Sequence, residues 1–166
     1  MMNASRTLGD AHPGRFVLGV GISHRSTAEG RGHHYVSPLD SMRTYLDTMR
    51  IAAFDGHPPA TNPPTLVAAL GPKMLAVSAG HAVGAHSFLT PPEHTAGARE
   101  VLGADKLLAV EQGVVLLDGR VDVREGRDRA RLNLQRFLAW PNYRNHLRRL
   151  GFDVADLEAD CAVRRV

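Results

Sequence analysis

Cysteine is almost absent from this chain, whose 166 residues include one, Cys161. A single cysteine excludes an intramolecular disulfide framework and fits a reducing compartment. No neighbouring group would activate the thiol, so we expect Cys161 to be inert rather than nucleophilic.

Long apolar runs and targeting signals are also missing. No run approaches the ~18 consecutive apolar residues of a membrane span. The first residues lack the basic segment and apolar stretch of a secretion signal. Hydrophobic residues make up 43% and charged residues 22% of the chain, which is typical of a globular domain rather than a disordered one. We therefore expect one cytoplasmic domain without a membrane partner.

Lysine is scarce, because only Lys73 and Lys106 among the 20 basic residues are not arginine. The excess of arginine, alanine and glycine is typical of a high-GC genome. Between Arg120 and Arg149 the arginines alternate with acidic residues, which favours a solvated helix face over a nucleic-acid-binding stripe. An arginine-rich nucleic-acid binder is therefore the weakest functional hypothesis, and we expect no nucleic-acid partner.

Common catalytic and metal-binding motifs are absent. None of the nine histidines stands at a recognised ligand spacing, and the adjacent His33 and His34 point apart on an extended chain. We therefore predict no metal site. The serine-hydrolase motif G-x-S-x-G and the nucleotide phosphate loop are also missing.

The chain does contain a regular alternation of predicted helices and strands. Four apolar segments are predicted to be strands: residues 15–22, 65–70, 84–89 and 106–117. Residues 3–13 are compatible with a helix, and the polar residues 23–36 are predicted to be a loop. Continuous apolar strands that alternate with helices predict an α/β fold with a parallel sheet.

Three helix starts carry their own signals. Ser37 is predicted to cap a helix with Pro38 at its first position, and Gly71 is followed by a helix beginning at Pro72. Thr90 and Glu93 match a capping box at the start of a third helix. A break at Trp140 precedes the last predicted helix.

Two glycines one residue apart, Gly19 and Gly21, end the first predicted strand. They do not start a dinucleotide-binding turn, because His24 replaces the third glycine and the next helix begins only near Ser37. They either admit a ligand close to the strand end or let a barrel strand curve. His24 follows the strand directly, where parallel α/β folds bind ligands.

The stretch AALGPKM, residues 68–74, predicts a strand, a turn at Gly71 and a helix from Pro72. The start of a helix offers free N–H groups and a positive dipole end to an anion. Lys73 lies in the first turn, where a cation is unfavourable unless an anion is present. We predict a phosphate site here; the alternative is a plain helix start with a solvated lysine.

Polar residues also interrupt the fourth predicted strand. Glu111 and Gln112 are expected either to face a polar cavity or to pair with a neighbouring backbone. His86, within the third predicted strand, suits a core position as well as a functional one.

The order of several stretches resembles the luciferase-like monooxygenase superfamily, and more narrowly its branch that depends on the deazaflavin coenzyme F420. These stretches are GRFVLGVGISH, PLDSMRTYLDTM, the segment from PPTLVAALGPKML to EVLG, LAVEQGVVL and RFLAWPNYRNHLRRLGF. The similarity covers about residues 5–155, so we expect a family domain over residues 1–155 and an irregular tail over residues 156–166.

The resemblance implies ligand binding at the carboxyl-terminal mouth of a (β/α)₈ barrel. It implies that one strand end lines the cofactor ring pocket through Gly19, Gly21, Ile22, Ser23 and His24. It implies that one turn holds the cofactor phosphate through Leu70, Gly71, Pro72, Lys73 and Met74. His24 is the candidate catalytic residue.

The activity implied is hydride transfer between F420 and a small organic substrate. An FMN-dependent monooxygenase is one alternative, and an inactive half-barrel remnant without a specific ligand is another. A complete barrel needs about 250 residues, whereas this chain supplies about four βα units. We therefore expect a partial barrel lacking the first three strands, whose open sheet edges could support a homo-oligomer.

Overall fold

A computed structural model describes residues 1–117 and 119–153. Strands and helices alternate through most of this part of the chain. The strands are β1 (Leu18–Val20), β2 (Thr65–Ala68), β3 (Gly84–Phe88) and β4 (Leu107–Glu111). The helices are α1 (Met2–Ala11), α2 (Arg25–Gly30), α3 (Pro38–Ile51), α4 (Pro72–His81), α5 (Pro92–Leu102), α6 (Val123–Leu138) and α7 (Pro141–Arg149).

The four described strands form one parallel sheet in the order β1-β2-β3-β4. Successive strands are therefore neighbours, as in a segment of an α/β barrel. This confirms the predicted α/β class and the partial barrel of about four βα units. The predicted tail, residues 156–166, and Cys161 lie outside the described residues.

One face of the sheet is covered by helices. Leu18, Val20 and Val67 pack against Met42 and Leu46 of α3. Further along the sheet, a second cluster joins β2 and β3 to α4 and α5 through Ala69, Ala85, Leu75, Ala98 and Leu102. Because side chains alternate across a strand, these residues fix which face of the sheet is left for a ligand.

The opposite face carries small side chains around one histidine. The register places Ala68 beside His86 and His86 beside Ala109, so these three residues form one row across the sheet. Ala68 and Gly19 are exposed on this face. The row therefore leaves space above the sheet near the carboxyl ends of the strands.

Two of the three predicted helix starts are confirmed. The Ser37 hydroxyl accepts a hydrogen bond from the Asp40 amide at 3.4 Å, with Pro38 in the first turn of α3. Gly71 caps α4, and Pro72 is its first residue.

The predicted capping box at Thr90 is wrong. α5 begins at Pro92, and its N-cap is Pro91 in an extended conformation with φ −77° and ψ 166°. A residue that precedes proline is disfavoured in the helical region, so Pro92 keeps Pro91 out of the helix. Thr90 is buried instead, and its hydroxyl has no hydrogen-bond partner within the described residues.

All four observed strands are shorter than predicted, β2 and β3 by one or two residues and β1 and β4 by more. Residues 15–17 would pair beyond Thr65, where Pro63 and Pro64 offer no N–H group. On the other edge, β4 stops at Glu111, opposite the last residue of β3, so residues 112–117 have no neighbouring strand to pair with. Predicting residues 15–22 and 106–117 as complete strands was therefore wrong at the ends.

The prediction of residues 23–36 as a loop is also wrong in part, because α2 interrupts the segment. This short helix carries an ion pair between Arg25 and Glu29 at 3.0 Å. The Arg25 guanidinium also lies over the Tyr35 ring, 4.6 Å from its centroid. Such local contacts stabilise a single turn or two of helix.

Candidate functional site

A cleft of about 460 Å³ lies at the carboxyl-terminal end of the sheet. Its walls come from the ends of β1, β2 and β3 and from α7. The lining residues are Ile22, Ser23, His24, Tyr35, Pro38, Ala68, Ala69, Leu70, Gly71, Met74, His86, Phe88, Asn142, Tyr143, Asn145 and Arg149. The structure thus brings six of the predicted site residues, from two separate loops, into one cavity.

The β1 side of the cleft is formed by Ile22, Ser23 and His24. His24 is the extended N-cap residue of α2, directly beyond the strand end. Its ring stacks on Trp140, with centroids 4.0 Å apart and planes inclined by 16°. Burial lowers the pKa of His24 below its ordinary value and so favours the neutral imidazole, which has one nitrogen able to donate and one able to accept a hydrogen bond.

The opposite wall is the turn of residues 70–74 at the start of α4, named here the 70–74 turn. The Met74 and Leu75 amides both donate to the Gly71 carbonyl, at 3.1 and 3.0 Å. The Lys73 amide has no backbone acceptor outside the helix within the described residues. The positive end of α4 therefore faces this region with a free N–H group.

The cation beside this helix start is Arg149 of α7. A Cβ atom added at Gly71 would lie 3.5 Å from Nη2 of Arg149. Arg149 makes no ion pair with any described residue under a 4.0 Å criterion. An unneutralised guanidinium at a helix N-terminus is a favourable arrangement for an anion.

The remaining predicted site residues lie outside the cleft lining. Lys73 is exposed and does not line the cleft, whereas Arg149 does. Pro72 lines a neighbouring cavity instead. A Cβ atom at Gly21 would lie 3.1 Å from that of Ala68, at the edge of the cleft, whereas one at Gly19 would meet nothing within 4 Å.

Sequence reasoning missed the contribution of α7. This helix supplies Asn142, Tyr143, Asn145 and Arg149 to the cleft. Positions 142, 145 and 149 recur at helical spacing, so one polar face of α7 was available as a signal. Tyr143 also belongs to an aromatic cluster with Phe88 and Phe137. The ring centroids of Phe88 and Phe137 lie 4.8 Å apart, and those of Phe137 and Tyr143 lie 5.6 Å apart.

His86, which lines the cleft, lies beside a carboxylate of the neighbouring strand. Nε2 of His86 on β3 lies 3.4 Å from Oε2 of Glu111 on β4. Burial, and secondly the charge of Glu111, raise the pKa of Tyr143. Glu111 thus contacts the His86 side chain rather than a neighbouring backbone. Gln112 donates a hydrogen bond to the adjacent Gly113 carbonyl at 3.4 Å. The arrangement places two groups able to exchange protons beside an apolar wall.

Two classes of feature are absent from the described residues. No group of three or more histidine, cysteine, aspartate or glutamate side chains is placed to hold a metal ion. No helix in residues 1–117 and 119–153 has the length and apolarity needed to cross a membrane.

Comparison with known proteins identifies the family. The family model described as luciferase-like monooxygenase matches residues 2–159, which is nearly the whole chain and includes every wall of the cleft. No curated protein matches the chain. The resemblance to this superfamily is thus confirmed, and the chain belongs to the luciferase-like monooxygenase family of oxidoreductases.

Proposed function

We propose that this protein is an F420-dependent oxidoreductase that transfers a hydride between the deazaflavin cofactor and a small organic substrate. The observation that carries the proposal is the cleft, which combines apolar and aromatic surfaces with an arginine at a helix start that forms no ion pair among the described residues. Members of the family use flavin or F420 cofactors, and both have a planar ring and a phosphate. The two ends of the cleft match these two parts.

The phosphate end is formed by Arg149 and the start of α4. The guanidinium lies against the backbone at Gly71, where a Cβ atom would be 3.5 Å from Nη2, an ordinary contact distance. Guanidinium N–H groups and the free Lys73 amide would donate to phosphate oxygens. Lys73 contributes its backbone here, while its exposed side chain remains in solvent.

The ring end is formed by small and aromatic residues. Ala68 leaves room above the sheet, and His24, whose ring is held by stacking on Trp140, lines the cleft beside it. When bound, the deazaflavin supplies or accepts the hydride, and the protein orients it. Ile22, Met74 and Phe88 would exclude water from the reacting face.

Proton transfer is the task of polar residues in and beside the cleft. Reduction of a carbonyl or similar group needs one proton for each hydride, and His86 lies within the cleft to exchange it. Glu111, 3.4 Å from His86 Nε2, would stabilise the protonated imidazole. Tyr143, whose burial raises its pKa and keeps its hydroxyl protonated, would donate a hydrogen bond to the substrate.

Fluorescence titration of the purified chain with F420 and, separately, with FMN tests this function. We expect F420 to bind at micromolar concentration and Arg149→Gln to weaken binding about tenfold or more, because it removes a charge-assisted hydrogen bond. Arg136→Gln on α6 is the matched control, since Arg136 is exposed and outside the cleft. Tighter binding of FMN would assign the flavin-dependent branch, and binding of neither cofactor would favour the inactive remnant.

A further inference from the structure

A second cavity lies directly behind the 70–74 turn, between α4, α5 and α7. Its volume is about 390 Å³, and most of its lining is apolar, from residues such as Leu75, Val101 and Leu150. Two histidines line it as well. His94 of α5 is 4% exposed and His146 of α7 is 2% exposed, so both imidazoles are almost completely removed from water.

His94 is bound to the turn itself. Its Nε2 atom lies 3.1 Å from the carbonyl oxygen of Leu70, the residue before the N-cap of α4. A carbonyl only accepts, so Nε2 carries the proton and donates. The other nitrogen, Nδ1, is buried without a hydrogen-bond partner in the described part of the chain. Leaving a polar atom unpaired is unfavourable, which indicates that the Nε2 bond decides the orientation of the ring.

His146 connects this contact to α7. The rings of His94 and His146 meet edge to face, with centroids 4.8 Å apart and planes inclined by 82°. Arg149 follows His146 by three residues and therefore lies on the same face of α7. It reaches Gly71 in the 70–74 turn and lines both cavities.

We propose that His94 is a positioning residue for the cofactor-binding turn, and that His146 couples the docking of α7 to the position of that turn. The proposal rests on the function proposed above and deepens it. His94 holds the Leu70 carbonyl, and His146 packs against His94. These contacts place Arg149 beside the start of α4. The phosphate end of the cleft therefore forms only when α7 is packed against α4 and α5.

The charges around the pair favour neutral imidazoles. Arg149 on α7 and the positive end of α4 both oppose a second positive charge, while Glu93 on α5 is the one acidic side chain lining this cavity in the described structure. Burial lowers the pKa of His94; the bond to Leu70 acts in the opposite direction, and the charge of Arg149 adds a smaller lowering effect. A neutral His94 keeps one nitrogen protonated, as the bond to Leu70 requires.

Amide hydrogen exchange of residues 69–75, measured without cofactor, tests the positioning role. We expect His94→Leu to accelerate exchange there about tenfold, because the bond to the Leu70 carbonyl is lost, and to weaken F420 binding by a similar factor. His94→Gln keeps a side-chain N–H donor and should restore part of both effects. His81→Leu is the matched control, since His81 also bonds a partner, Asp47, but at the opposite end of α4.

The outcomes separate this inference from the proposed function. Exchange that is unchanged in His94→Leu, or accelerated equally throughout the chain, would overturn the positioning role. Localised acceleration that Gln reverses would support it, even if the wild-type chain bound no F420. In that case the proposed function would fail while the structural coupling stood.

Discussion

Two parts of the same sheet differ in how well they are covered. Val67 of β2 and Ala85 of β3 are 0% exposed, because α3, α4 and α5 pack over them. On β4, Val110, in register with Ser87 on the same face of the sheet as Ala85, is 41% exposed, and Leu107 on the opposite face is 47% exposed, although β4 pairs with β3 in full register. The comparison shows that strand pairing alone does not bury a strand; the helix layer does.

The candidate site lies at the well-covered part of the sheet, formed by β1, β2 and β3, and not at β4. Its walls are the ends of β1, β2 and β3 together with α7, whereas β4 contributes no lining residue and only Glu111 lies next to the lining residue His86. Beyond β4, residues 114–117 expose Val114, Val115, Leu116 and Leu117 without strand partners. The molecule thus combines a packed region that positions polar groups with an apolar segment that is only partly covered. Gly126 of α6 lies against Leu117 and Val115, whereas Val114 and Leu116 remain 79% and 81% exposed.

Core truncation should give the largest difference between the two regions. Met42 is 1% exposed beneath β1 and β2, so Met42→Ala should destabilise the fold by about 2–5 kcal/mol. Leu107→Ala, at the half-exposed edge, should cost about 1 kcal/mol or less. Urea denaturation followed by circular dichroism measures both. Equal losses would mean that β4 is as well covered in solution as β2.

The second-largest effect should come from acidification, which should weaken the packing of His146 on α7 against His94 on α5. Burial, His94 and Arg149 lower the pKa of His146 from 6.5 to about 4. The folded state therefore binds fewer protons than the unfolded state between these values, and stability is complete above pH 6.5 and falls towards pH 4. The slope should reach at most about 1.4 kcal/mol per pH unit for one proton.

Thermal unfolding measured from pH 7 to pH 4 checks this dependence. His146→Phe keeps an aromatic ring against His94 and should remove most of the slope. The groups around His146 that also titrate or carry charge are His94 and Glu93 of α5 and Arg149 of α7. A slope that persists in His146→Phe would assign the pH dependence to one of these neighbours instead.

Self-association is the effect expected at the uncovered edge. A parallel edge strand with adjacent apolar residues pairs readily with another chain. We expect concentration-dependent dimers of this chain in sedimentation velocity, reduced by Leu116→Lys at the 81% exposed Leu116. Arg43→Lys on α3, a charge-preserving surface change far from this edge, is the control. A monomer at all concentrations would contradict the open-edge hypothesis.

Local signals along the chain predicted the fold better than the site. Gly71 and Pro72 carry their conformational preferences with them, so the start of α4 was predictable. The end of β4 was not predictable, because β4 stops at Glu111 where its partner strand β3 stops at Phe88. Ile22 to His24 and the 70–74 turn could be inferred as strand ends. The helical spacing of residues 142, 145 and 149 marks a polar face of α7, but it does not specify where that face packs, so the entry of Arg149 into the cleft was not predictable.

The smallest expected effect is that of Lys73 on F420 affinity, and comparing it with the effect of Arg149 tests which side chain binds the anion. Sequence reasoning assigned the anion to Lys73, whose side chain the structure leaves exposed outside the cleft. Lys73→Gln should therefore change F420 affinity by less than about twofold, since a solvated charge near a binding site contributes little. Fluorescence titration of Lys73→Gln beside Arg149→Gln measures the two contributions directly. A larger loss at Lys73 would mean that its side chain turns towards the helix start when the phosphate is bound, and that the neighbouring arginine serves to dock α7 rather than to hold the anion.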